Sequence, residues 1–158
     1  MDLELQMALK RKYPLFLKGL FDNIAAPKEP ISMFGIECGE GWFGIIDELG
    51  SKIEPLIKKF ITANTEECGP GIPHVFDPTG FPRALQIKEK FAQIRIYMSA
   101  TEEMYKYITE AEEKSATVCE TCGKPGKTRG KNWVYTACEE CCHERDRTIK
   151  NADITFNR

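Results

Sequence analysis

Residues 119–143 read CETCGKPGKTRGKNWVYTACEECCH, and the reading of this stretch decides the C-terminal part of the fold. Two Cys-x-x-Cys pairs, Cys119/Cys122 and Cys138/Cys141, stand fifteen residues apart. That spacing is a four-cysteine zinc pattern. Each pair presents two sulfurs on one side of a tight backbone knuckle, and two facing knuckles complete a tetrahedron around the metal. Gly123 follows the first pair, where a knuckle needs a residue tolerant of positive φ. Four sulfurs leave no position open for water or substrate, so the pattern predicts one structural zinc ion rather than a catalytic one. Cys142 and His143 adjoin Cys141 and are alternative fourth ligands; Cys141 preserves the two-residue gap.

The loop between the pairs is basic. Lys124, Lys127, Arg129 and Lys131 occur without an acid, and Trp133 and Tyr135 follow. Cations beside aromatic rings suit phosphates and stacked bases, so these lysines, Arg129 and Trp133 are candidate nucleic-acid contacts. The plainer reading is a solvated turn with Trp133 packed over the metal module, and Glu139, Glu140 and Glu144 nearby favour it.

Working outward, the chain has 158 residues, 42% apolar and 29% charged, with a net charge of −2. This composition suits a globular protein and argues against bulk electrostatic binding to nucleic acid. No apolar run is long enough for a membrane span. The acidic start MDLELQ does not read as a secretory signal, and the paired cysteines then read as metal ligands in a reducing cytoplasm.

The periodicities predict an α+β fold: about three main helices on a small antiparallel sheet or hairpin, closed by a C-terminal four-cysteine zinc ribbon. Residues 2–12 read as a helix with acids first and bases last. Pro14 ends it or begins a second short helix through Leu20. Residues 22–30 read as a connector and 31–37 as a short strand or extended entry. From Trp42 to Phe60 apolar residues recur at three- and four-residue steps, the clearest amphipathic helix in the chain. Ser51-x-x-Glu54 followed by Pro55 predicts a capping box and a kink or restart there. Residues 64–83 read as a loop, with a turn at Asp77–Gly80. Residues 84–98 read as a hairpin turning at Lys88-Glu89-Lys90, with Ala92, Ile94, Ile96 and Met98 on one face and Phe91, Gln93, Arg95 and Tyr97 on the other. Ser99-x-x-Glu102 opens a helix to about Val118, buried along Met104, Ile108, Ala111 and Ser115, with Glu102/Lys106 and Glu110/Lys114 pairs on its surface. A last helix is expected over 139–150. Two units follow, 1–118 and 119–158, packed together.

One further candidate site is the turn Glu37-Cys38-Gly39-Glu40-Gly41-Trp42. Glycines before a helix can free backbone N–H groups for an anion or nucleotide phosphate. Glu37, Cys38, Gly39, Gly41 and Arg95 are therefore candidate pocket residues, against the plainer reading of a tight turn. Arg95 between apolar residues reads first as an ion pair with Glu37 or Glu89. Cys38 as a nucleophile would need His74 or His143 as its base. No catalytic constellation emerges, so a non-enzymatic protein is expected.

The ordered motifs CGEGW, IDELGSKIE, QIKEKFAQIRIY and EAEEKSATVCETCG, then a tryptophan and a final Cys-x-x-Cys, resemble small bacteriophage- and prophage-encoded proteins with a C-terminal pair of zinc knuckles. The resemblance covers roughly residues 31–145. Ala92 departs from it, where similar proteins often carry glycine. It implies a phage accessory protein in the host cytoplasm that binds a host protein, with counter-defence as one role. Nucleic-acid binding and nucleotide binding or sequestration are the alternatives.

Overall fold

A computed structural model gives the fold and describes residues 1–21, 35–66, 81–131 and 133–142. It is α+β. Helix α1 (Leu3–Lys12) starts where Asp2 accepts a hydrogen bond from the Glu4 N–H at 2.8 Å, satisfying a donor the first turn leaves free. Pro14 interrupts it, and α2 (Lys18–Phe21) follows. Strand β1 is short (Ile36–Glu37) and leads through a 3-10 turn, Glu40–Trp42, into the long helix α3 (Phe43–Glu66). Strands β2 (Arg83–Lys90) and β3 (Gln93–Ser99) form a hairpin, α4 spans Glu102–Ser115, and β4 (Lys127–Arg129) and β5 (Tyr135–Ala137) form a second hairpin. Residues 139–142 are helical.

The first sheet has the order β1-β2-β3. It is mixed, not purely antiparallel: β1 runs parallel to β2, with Ile36 opposite Ile87, while β2 and β3 are antiparallel. The parallel pairing is possible because α3 crosses between β1 and β2 and buries both. Its apolar stripe, Ile45, Ile46, Leu49, Ile53 and Ile57, meets Leu9, Phe16, Leu20, Ile87, Ile94 and Ile108 in one core. Full burial of each such side chain is worth roughly 1.5–3 kcal/mol. Side chains then tie the elements. Gln6 on α1 donates to the Met1 carbonyl at 2.8 Å and accepts from the Ile36 N–H at 2.9 Å, holding β1 against α1.

Several local expectations are corrected. The long helix runs continuously through Pro55. Ser51 is not a cap; its hydroxyl donates to the Glu48 carbonyl at 2.7 Å, and Glu54 is buried against the chain between α1 and α2. The hairpin does not turn at Lys88-Glu89-Lys90, which lie in β2. It turns at Phe91 and Ala92, both at positive φ (54° and 65°), the backbone of a two-residue mirror-image turn. The preceding Glu89 stabilises it by accepting from the Ala92 N–H at 2.8 Å. Helix α4 begins after Thr101 without a side-chain cap. Lys114 pairs with Glu48 across to α3 at 2.5 Å, and Glu110 with Lys52 at 3.6 Å. The expected stripe of α4 is buried as read: Met104, Ile108, Ala111 and Ser115. The connector 22–30, the Asp77–Gly80 turn and the helix beyond residue 142 lie outside the described residues.

Candidate metal centre

The first knuckle grows out of α4. After Ser115 the chain turns, Val118 bridges to Pro125, and the Cys119 N–H donates to the Lys124 carbonyl at 2.8 Å. The Gly123 N–H closes the turn on the Cys119 carbonyl at 2.9 Å, and Gly123 takes φ +76°, a backbone that costs an L side chain about 1 kcal/mol or more. The second knuckle follows β5. The Cys142 N–H reaches back to the Cys138 carbonyl at 3.1 Å, and the Cys141 N–H lies 3.5 Å from the Cys138 sulfur. The β4–β5 hairpin, paired Lys127 to Ala137 and Arg129 to Tyr135, holds the two knuckles face to face.

The result is four sulfurs, from Cys119, Cys122, Cys138 and Cys141, all within 4.8 Å of one another. A tetrahedral ion with bonds of about 2.3 Å sets its sulfurs roughly 3.8 Å apart. Cys122 and Cys138 stand 3.6 Å apart, matching that edge and far beyond a disulfide bond of about 2.05 Å. All described cysteines are free thiols. The four can therefore hold a metal ion. The fifth thiol, Cys142, is not part of this group; it is buried and takes a 3.7 Å contact from the Tyr135 hydroxyl. Three of the four cluster cysteines are buried and Cys122 is exposed. Burial pushes the Cys119 thiol up, but backbone N–H groups of Cys138, Cys122 and Thr121 aimed at its sulfur outweigh burial and hold it at about 6. Burial pushes the Cys141 thiol up. A site that stabilises one thiolate by itself and needs a cation for the others has the chemistry of a metal centre.

The Glu37–Trp42 turn is where the first knuckle docks. The Gly41 N–H donates to the Glu120 carbonyl at 2.8 Å, and the Gly39 N–H to the Glu120 carboxylate at 3.0 Å. Trp42 is fully buried, and its indole N–H donates to the Val118 carbonyl at 2.7 Å. The N–H groups expected to cradle an anion are thus spent on Glu120. Cys38 is buried, with its thiol pushed up to about 12 by burial, which removes it as a nucleophile at neutral pH. Arg95 is not beside this turn. Its guanidinium pairs with Glu112 of α4 at 3.1 Å, rather than with Glu37 or Glu89, and also meets Gln93 at 2.9 Å. Glu37 instead accepts from Gln86 at 3.2 Å. His74 and His143 lie outside the described residues.

In the basic loop, Lys124 pairs with Glu140 at 2.6 Å and Arg129 with Glu139 at 2.7 Å. Lys127 and Lys131 are exposed, and Trp133 is 76% exposed rather than packed over the cysteines. What covers the module is the hairpin turn of the first sheet: buried Thr136 of β5 donates its hydroxyl to the Ala92 carbonyl at 2.6 Å. Glu120 and Thr136 thus matter to the site without an expectation attached to them, while Ala92, the departure from the resemblance, is where the hairpin turn meets Thr136. An acid directly after the first cysteine and a threonine amid apolar residues two before the third were the available signals. No helix among the described residues is long and apolar enough to cross a membrane. No protein-family model, curated protein or solved structure matches this chain.

Proposed function

We propose that the protein is a non-catalytic binding protein whose C-terminal module is a zinc ribbon folded around one structural zinc ion. The observation that carries this is the closed set of four sulfurs, Cys119, Cys122, Cys138 and Cys141, within 4.8 Å of one another. Four thiolates fill a tetrahedral shell, so the ion has no position for substrate and acts as local folding energy, on the order of 10–16 kcal/mol in small modules. The buried, high-pKa Cys38 and the occupied N–H groups of Gly39 and Gly41 give no support to hydrolytic or nucleotide-sequestering readings. In the phage setting that the resemblance implies, the partner is a host macromolecule and counter-defence is the role.

Metal analysis of the purified protein tests the reading: about one zinc per chain, lost in Cys119→Ser and retained in Cys142→Ser. A fully folded preparation free of metal would overturn it. Affinity capture from infected cells, compared between wild type and a surface-disrupted variant, tests the binding role; a host macromolecule captured equally by both counts against it.

A further inference from the structure

The outer face of the β2–β3 hairpin carries cations and aromatic rings that the fold does not explain. Strand alternation places Gln86, Lys88, Lys90, Gln93, Arg95 and Tyr97 together on the side away from the core, because Ile87, Ile94 and Ile96 are buried. Lys88 and Arg95 stand directly opposite each other in the ladder. Arg95 is paired with Glu112, and Glu37 is the neighbour of Lys88 on the β1 side, so Lys88 and Lys90 are the cations of this face without an ion pair among the described residues. Phe91, at the tip, is 72% exposed and at φ +54°. A turn of this kind prefers Asn or Gly there, so Phe91 adds backbone strain and an exposed ring at one position. Tyr97 is 43% exposed.

The rings and cations come in pairs. The Lys88 ammonium sits 5.5 Å from the Tyr97 ring centre, and the Lys90 ammonium 5.4 Å from that of Phe91. Lys88 and Lys90 make no ion pair among the described residues, whereas Glu37 is bonded to Gln86, Glu89 to the Ala92 N–H and Glu112 to Arg95. Two residues along one strand face span about 6.7 Å, commensurate with the step between successive phosphates of an unstacked single strand. A ring beside an ammonium is what one nucleotide needs: a surface for the base and a cation for its phosphate.

We infer that this face binds single-stranded nucleic acid, with bases on Tyr97 and Phe91 and phosphates at Lys88 and Lys90. The inference deepens the binding-protein reading and rests on it, but places the contact on the sheet rather than on the metal module.

The test is fluorescence anisotropy of the zinc-loaded protein with labelled 12-mers of dT and of U, a 12-base-pair duplex, and an oligoglutamate of equal charge, at low salt. Both single strands, or one of them, should bind, with duplex and oligoglutamate at least tenfold weaker. Phe91→Asn should raise or preserve the melting temperature while weakening single-strand binding about tenfold. Lys88→Gln/Lys90→Gln should weaken binding and flatten its salt dependence. Absence of single-strand binding, equal binding of oligoglutamate or duplex, or Phe91→Asn binding as wild type would each overturn the inference. Those outcomes, with zinc content intact, leave the zinc-stapled reading standing; loss of zinc stoichiometry would sink that reading instead.

Discussion

Gly41 and Cys119 are in backbone contact: a Cβ on Gly41 would lie 2.1 Å from the Cys119 carbonyl oxygen and 2.4 Å from the Gly123 N–H nitrogen. This approach lets the Gly41 N–H reach Glu120 and sets the first knuckle on the turn that precedes α3. At Gly41 the turn before α3 and the first knuckle therefore meet main chain to main chain, where no side chain can yield. Gly41→Ala should cost roughly 1–3 kcal/mol by forced displacement and should also weaken zinc retention against a chelator. Gly44→Ala is the control, since a Cβ there meets nothing within 4 Å and alanine favours the helix. Urea denaturation of the two variants, with zinc release measured alongside, checks the pair. Equal stability of both would remove the docking argument.

Metal retention should fall with acid. The Cys119 thiol is held down at about 6 from an ordinary value of 9.0, burial raising it and the backbone N–H groups of Cys138, Cys122 and Thr121 lowering it further. A group depressed on folding stabilises the fold fully above its unfolded value, and that contribution is lost as pH falls through the folded one. Metal binding acts in the same direction, because every ligand must be deprotonated. Zinc release followed with a chromogenic indicator should therefore rise as pH is lowered below about 6, together with loss of structure in residues 119–142. A zinc affinity, measured by competition with a chelator, that is independent of pH between 8 and 5 would contradict four-thiolate ligation.

The outer edge of β3 is closed by α4. The Ile94 N–H donates to the Ser115 hydroxyl at 2.9 Å, and the Ile96 N–H to the Glu112 carboxylate at 3.0 Å. These are the donors a free sheet edge would offer to another chain. Ser115 is fully buried, so Ser115→Ala leaves the Ile94 N–H without a partner and should cost about 1–3 kcal/mol. It should also make the protein more prone to associate, which size-exclusion chromatography at rising concentration would detect. A monomeric variant of unchanged stability would show that the hydroxyl does not matter.

How much of this was legible in the sequence follows from the range of each interaction. The four-cysteine cluster was legible because the sulfur placement of a Cys-x-x-Cys pair is a local property of spacing, and the burial of α4 because its stripe repeats every three or four residues. The Glu110/Lys114 pair does not form because α3 runs alongside α4 and offers both residues partners that no i, i+4 rule contains. The hairpin turn was misplaced because Phe91 and Ala92 are poor residues for positive φ; Glu89 and Thr136, bonded to Ala92, hold the turn from outside it. The Glu37–Trp42 glycines read either as a tight turn or as an anion cradle; the partner of their N–H groups, Glu120, lies some eighty residues away and no local pattern names it.

Glu54 illustrates the same point on the energetic side. Its spacing from Ser51 suggested a capping box, yet its carboxylate accepts from the Phe16 N–H at 2.9 Å and the Leu15 N–H at 3.3 Å. Only 4% exposed, it satisfies two backbone donors of the segment that Pro14 opens between α1 and α2. Glu54→Ala removes both acceptors and leaves a gap in the core, and should cost about 2–4 kcal/mol. Glu54→Gln keeps the size and one acceptor oxygen, so its loss should be smaller, about 1–2 kcal/mol. Urea denaturation with an unchanged m-value measures both. If alanine and glutamine cost the same, the N–H bonds are not what the side chain supplies, and the burial of Glu54 needs another account.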